Sequence, residues 1–353
     1  MTLAESLRTS GDFLCRRQDR WRTPFARSWF SRLPVLKLLM LDDTDALHEY
    51  VVEIGRRLGF QSKREAVLSS AAGYAPRLDV LWTLSLSTAQ LEAIRSVGAL
   101  VTVRGNSLPI AAWEVEGSDA STKGMQADLA NMRASGAPFG FLAVNGSTRD
   151  NLYKRAHQLT RTQRHYFGDQ VAVPLDSNWL ADLAKLPLSS AASANSVRNV
   201  KGGGGEGHAA GHIRNELRSV GERVGFSVSD SFTSPCPASL APTRSQIDLA
   251  WTLPMPVGLR AFLMQVGEHD PDLLANNLVC PERYDHIVVV AFEIENDSKK
   301  HGYGGLLNLA SHGMAGVFIA GNMGASVAAK AAHETYRSML PLSRVSIHDG
   351  FLR

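Results

Sequence analysis

The chain has 353 residues, 44% hydrophobic, 20% charged and 7% aromatic, a globular balance that excludes a disordered or fibrous chain and suggests two or three domains. The apolar run from Leu33 to Leu41 is interrupted by Pro34 and Lys37 and stops at Asp42, short of the roughly 18 residues a membrane span requires, so no membrane partner is expected. A net charge of +3 is too small to imply a polyanionic partner by itself, and three scattered cysteines (Cys15, Cys236, Cys280) with the lack of a signal-like N-terminus point to a reduced, cytoplasmic protein with neither a disulfide framework nor a zinc knuckle.

Residues 1–45 form a basic, aromatic segment. Up to Met40 it carries eight basic residues against three acidic ones, with Trp21, Phe25, Trp29 and Phe30 among the arginines. It reads as an amphipathic helix packed on the first domain, or as a phosphate-holding, base-stacking arm. A first domain is expected over 46–188 and a second over 211–353. Between them, 189–210 is rich in Gly, Ala and Ser and contains Gly202 to Gly205, a composition too poor in apolar side chains to fold and therefore a linker.

The two halves repeat one another in order. Ile54-Gly55-Arg56-Arg57-Leu58-Gly59-Phe60 answers Val220-Gly221-Glu222-Arg223-Val224-Gly225-Phe226, and Leu78-Asp79-Val80-Leu81-Trp82-Thr83 answers Ile247-Asp248-Leu249-Ala250-Trp251-Thr252. Trp113 to Glu116 answers Phe292 to Glu295, and Phe141 to Asn145 is matched with Phe318 to Asn322. Lys154 and His157 have counterparts in Lys330 and His333. In each copy, helical spacing of apolar residues (Leu47, Val51, Ile54, Leu58) gives an opening helix ending near Gly59. Three short strands, a helix, a fourth strand and a closing helix follow. The expected fold is α/β, two tandem domains, each a small mixed sheet with an α-β-β-β-α-β core.

Alternation along a strand places Glu114 and Glu116 on one face with Trp113 and Val115 on the other, and treats Glu293 and Glu295 likewise. Asp79 and Asp248 each sit within an apolar strand of their own. Three carboxylates converging inside apolar strands repel one another and lose hydration, so a cation is expected in each half. All-oxygen ligands suit a hard ion, Mg2+ first and Mn2+ as a substitute. The bland alternative for any one Glu-x-Glu is an exposed strand edge with solvated acids.

These residues and this element order resemble the restriction-endonuclease-like nucleases, the PD-(D/E)xK superfamily, over roughly 46–160 and 211–340. The resemblance implies metal binding by Asp79 and Glu114 in the first half and by Asp248 and Glu293 in the second. The family's lysine position is taken here by Glu116 and Glu295, catalytic candidates that would orient water or bind a second metal. Lys123, Lys299 or Lys300 from the following helix is an alternative, and Glu49, Glu53 or Glu216 would be the acid the family often has on its opening helix. The implied activity is Mg2+-dependent endonucleolytic hydrolysis of phosphodiester bonds, on double-stranded DNA first, in bacterial restriction or defence, by a monomer acting as an internal pseudo-dimer or by a homodimer. The competing reading is a non-catalytic nucleic-acid-binding or assembly module that keeps the nuclease fold.

Two details are also expected. The interval from the aspartate to the first glutamate is 35 positions in the first half and 45 in the second, and the extra ten residues are placed around Gly267 to Arg283. Because Lys299, Lys300 and His301 follow Glu295 closely, the second centre is expected to be at least as active as the first.

Overall fold

The computed structural model describes residues 44–67, 77–147, 150–167, 172–183, 188, 208–233, 246–269, 286–296, 299–337 and 342–350. The basic N-terminal segment up to residue 43, the linker up to residue 207 and all three cysteines lie outside them. Helix α1 (Thr44–Arg57) opens the first half, followed by β1 (Gln61–Val67), β2 (Arg77–Ser85), α2 (Thr88–Ser96), β3 (Ser107–Glu116), α3 (Thr122–Ala134), β4 (Phe139–Val144), α4 (Asn151–Phe167), β5 (Ala172–Asp176) and α5 (Ser177–Leu183). The second half runs α6 (His208–Arg223), β6 (Ser227–Thr233), β7 (Gln246–Pro254), α7 (Val257–His269), β8 (His286–Glu295), α8 (Lys299–Ser311), β9 (Ala315–Ala320), α9 (Met323–Tyr336) and β10 (Val345–Asp349).

Each half is an α/β domain built on a five-stranded mixed sheet whose strands lie side by side in chain order. The first three strands pair antiparallel and the last three parallel, in both halves. The core expected from the sequence is present, with two additions. A helix, α2 or α7, stands between the second and third strands, and a fifth strand follows the last crossover. Residues 208–210, at the end of the expected linker, belong to α6.

The repeated residues explain why both halves build the same corner. Gly59 has φ +88° and Gly225 φ +91°, a left-handed conformation that costs glycine little. Each closes its helix in the same way: Phe60 N–H donates to Gly55 O at 3.0 Å and Phe226 N–H to Gly221 O at 3.0 Å, capping carbonyls that the helix end would leave bare. The phenyl ring that follows stacks on the strand tryptophan, Phe60 on Trp82 at 5.7 Å and Phe226 on Trp251 at 5.4 Å. Each indole reaches under the helix, Trp82 Nε1 donating to Val51 O at 3.2 Å and Trp251 Nε1 to Leu217 O at 3.1 Å. Only glycine leaves room there. A Cβ on Gly55 would lie 2.3 Å from Trp82 Nε1, and one on Gly221 2.5 Å from Trp251 Nε1.

Alternation divides each sheet into two faces. Trp82, Trp113, Val115 and Phe141 of the first half join Trp251, Phe292 and Ile294 of the second in one continuous core with α1, α2, α6 and α7. Phe262 of α7 meets the first sheet edge-on, its ring 5.8 Å from Trp82, 6.0 Å from Trp113 and 5.4 Å from Phe141. The opposite faces are covered separately, by α3 and α4 in the first half and by α8 and α9 in the second. It is these outer faces that receive the glutamates.

One expected match is off by a residue. Glu114 pairs with Leu142, whereas Glu293 pairs with Phe318. Phe318 therefore stands where Leu142 does, and the counterpart of Phe141 is Val317. A one-residue slip turns every side chain to the other face, and Phe141 indeed packs on Trp113 at 4.4 Å while Phe318 lies in the outer core under Gly305. The bare glycine makes room for a ring there, so the two phenylalanines are alike in type and opposite in face. The ten extra residues of the second half divide between α7, with 13 residues against 9 in α2, and the segment 270–285, which lies outside the described residues.

Candidate metal centre

Asp79 on β2 and Glu114 on β3 are cross-strand neighbours, since Val80 pairs with Trp113. They interlock through the backbone: Val115 N–H donates to Asp79 Oδ2 at 2.7 Å, and Asp79 N–H donates to Glu114 Oε2 at 3.2 Å. The second half repeats the first of these bonds, Ile294 N–H donating to Asp248 Oδ2 at 2.7 Å. Glu116 lies two residues beyond Glu114 on the same face, as Glu295 does beyond Glu293. The structure thus joins the expected aspartate to the first glutamate in both halves.

The first half adds a carboxylate that the motif did not flag. Asp128, on α3, hydrogen-bonds to the side chain of Glu116. Glu114 and Glu116 are only 3% and 7% exposed, and Glu114 Oε1 and Glu116 Oε1 are buried with no hydrogen-bond partner. Burial, reinforced by the charges of Asp79 and Asp128, pushes the Glu114 carboxyl up to about 10. Burial and the neighbouring Asp128 push Glu116 up to about 8. Asp128 is itself raised, again chiefly by burial. Burial also works against ionised Asp79, but the bonds from His48 and the Val115 N–H outweigh it and hold its carboxyl below the usual range.

The opening helix contributes a base where the family resemblance suggested an acid. His48 Nε2 lies 3.5 Å from Asp79 Oδ2, while Glu49 is drawn to Arg64 at 2.8 Å and Glu216 to His212 at 3.6 Å. In the second half the corresponding side chain is Arg214, whose Nη2 donates to Asp248 Oδ1 at 3.1 Å. Both stand seven residues before the glycine under the indole, a shared offset visible in the sequence once Gly55 and Gly221 are aligned.

Among the described residues, the second centre is otherwise poorer in acid and richer in donors. Asn308 of α8 donates to Glu293 Oε1 at 2.9 Å. Loss of hydration and the nearby Asp248 raise Glu293 well above its ordinary value. Counting back from the left-handed glycine that ends each helix, Gly136 with φ +70° and Gly313 with φ +68°, Asp128 falls opposite Gly305. A Cβ on Gly305 would lie 3.6 Å from Glu293 Cβ, so this helix position faces the glutamate and carries no carboxylate.

Of the lysine candidates, Lys123 is exposed at the start of α3, and the side chains of Lys299, Lys300 and His301 lie outside the described residues. Lys330 is engaged with Asp349 of β10 at 2.9 Å, and the Tyr303 ring packs against Tyr336 at 4.6 Å, tilted by 38°.

As donors, the four acids of the first half suit a hard divalent cation, which would give the two orphaned oxygens a partner and replace their protons. Among the described residues, however, no three His, Cys, Asp or Glu side chains are already arranged to hold a metal, so a cation would fit here only after side-chain rotation. No helix among the described residues is long and apolar enough to cross a membrane. Comparison with protein-family models, with curated proteins and with solved structures finds no match for this chain.

Proposed function

We propose that the chain is a divalent-cation-dependent nuclease of the PD-(D/E)xK kind, with its metal-binding residues, Asp79 and Glu114, in the first half. The observation that carries this reading is the pair of buried, unpartnered oxygens on Glu114 and Glu116 beside two further acids. A fold does not retain four carboxylates around orphaned oxygens for stability, since each costs desolvation and repels the others. When bound, Mg2+ or Mn2+ would polarise a phosphoryl oxygen and acidify a bound water.

The chain's own residues divide the remaining work. Asp79 is fixed by the Val115 N–H and faced by His48, so its carboxylate stays ionised as a ligand. Glu116, in place of the family's lysine, would accept the proton of an attacking water once a neighbouring cation has displaced its own proton, with Asp128 against it to share the charge. The substrate class is a phosphodiester of nucleic acid, with duplex DNA first. For the second half, Arg214 beside Asp248 favours the non-catalytic reading, a binding or assembly role on a retained nuclease fold.

The test is cleavage of labelled duplex DNA and single-stranded RNA by the purified full chain with Mg2+ or Mn2+, against EDTA. Metal-dependent cleavage of either polymer is the expected result. Binding of DNA without cleavage under any metal would instead establish the non-catalytic reading for the whole chain.

A further inference from the structure

His48 and Arg214 occupy one helical position and face the same strand aspartate in the two halves, yet they differ in kind. A guanidinium offers a planar fork of donors that binds carboxylate strongly, which an imidazole does not. The Arg214 side chain is 13% exposed and its bond to Asp248 Oδ1 is 3.1 Å. Asp248 Oδ2 takes the Ile294 N–H, and Glu293 Oε1 takes Asn308. Three of the four oxygens of this acid pair are thus occupied by protein donors. In the first centre, by contrast, Glu114 Oε1 and Glu116 Oε1 have none.

We propose that the second carboxylate centre is closed to divalent cations, the Arg214 guanidinium neutralising Asp248 where a metal would, so that the chain loads metal only in its first half. This rests on the reading of the first half as a metal-dependent centre. An entering cation would have to displace the Arg214 guanidinium from Asp248, breaking a charge-assisted hydrogen bond that metal coordination must first offset. The absence of a carboxylate at Gly305 removes the helix acid that Asp128 supplies in the first half. The duplication has therefore kept the three acids in both halves while replacing the cation in one with a side chain.

Mn2+ binding to the full-length chain, read by electron paramagnetic resonance and titration calorimetry, tests this without any activity. Bound Mn2+ is expected to be lost, with at least a tenfold weaker Kd, in Asp79→Asn and to be unchanged in Asp248→Asn. Arg214→His, which installs the residue of the first half, should add a second site that Asp248→Asn then removes. Arg214→Gln serves the same purpose if Arg214→His does not fold. Loss of wild-type Mn2+ binding on Asp248→Asn would overturn the proposal, as would two folded Arg214 variants that gain no site. If the wild type binds no Mn2+ but Arg214→His does, the first-half reading fails while the role of Arg214 stands.

Discussion

Glu114 and Glu116 carry the central physical tension of the molecule. Their carboxyls are pushed up to about 10 and about 8 by burial and neighbouring acids, so in the metal-free fold they hold protons that the unfolded chain releases near pH 4. The folded state then binds more protons than the unfolded one across this window, and its stability falls as pH rises. Asp79, with a lowered value, acts in the opposite sense and only at the acid end. Thermal unfolding in EDTA should therefore show a midpoint that declines from pH 5 to pH 9. Glu114→Gln should flatten that decline, because an amide has no proton to lose. A metal-free midpoint that stays level or climbs over this range would show that these carboxyls are not held protonated. At this scale the sequence was partly legible. Strand alternation identified Glu114 and Glu116, and the apolar setting of Asp79 marked it. Asp128 was not marked, because a single acid on an amphipathic helix looks like any solvated residue until the sheet beneath it is known. His48 and Arg214 carry no such mark, because the family resemblance implies an acid on that helix.

The elements were legible where local chemistry decides them. The opening helix, its glycine end and the third strand follow from spacing and from Gly59, Phe60 and the run Ile110 to Glu116. The extra helices α2 and α7 were missed, although Ser87 accepts the Gln90 N–H at 3.1 Å and Gln90 answers the Ser87 N–H at 2.9 Å, a reciprocal cap that a Ser-x-x-Gln sequence announces. The slip on the fourth strand arose because its face is set by a tertiary neighbour, Gly305, and not by its own pattern. The motif repeated most plainly, Gly-x-x-x-Gly-Phe with Trp-Thr, turns out to be structural, since it locks the helix to the sheet through the indole. Gly55→Ala should cost about 1–3 kcal/mol by overpacking and by displacing the Trp82 hydrogen bond to Val51. Chemical denaturation with the tryptophan fluorescence as probe measures this. A loss within about 0.3 kcal/mol would mean that the helix can lift from the indole freely.

At the scale of the molecule, two like sheets share one aromatic core through their inner faces and keep their carboxylates on outer faces, under separate pairs of helices. The inner faces bind the halves together, so the outer faces are free to diverge without loss of the common core. The expectation that the second centre would be at least as active rested on its trailing lysines. Those side chains lie outside the described residues; among the described ones the cation at that centre is Arg214, and the proposal built on it predicts the opposite order. A Mg2+-dependent cleavage assay on supercoiled and linear duplex DNA, run side by side on the wild type, Glu114→Gln and Glu293→Gln with folding verified by circular dichroism, is the most direct measurement of the central claim. The account predicts cleavage by the wild type, a loss of at least about a hundredfold in Glu114→Gln, in line with removal of a group that stabilises charge in the transition state, and near wild-type rates in Glu293→Gln. Undiminished cleavage by Glu114→Gln, or its loss only in Glu293→Gln, would contradict it.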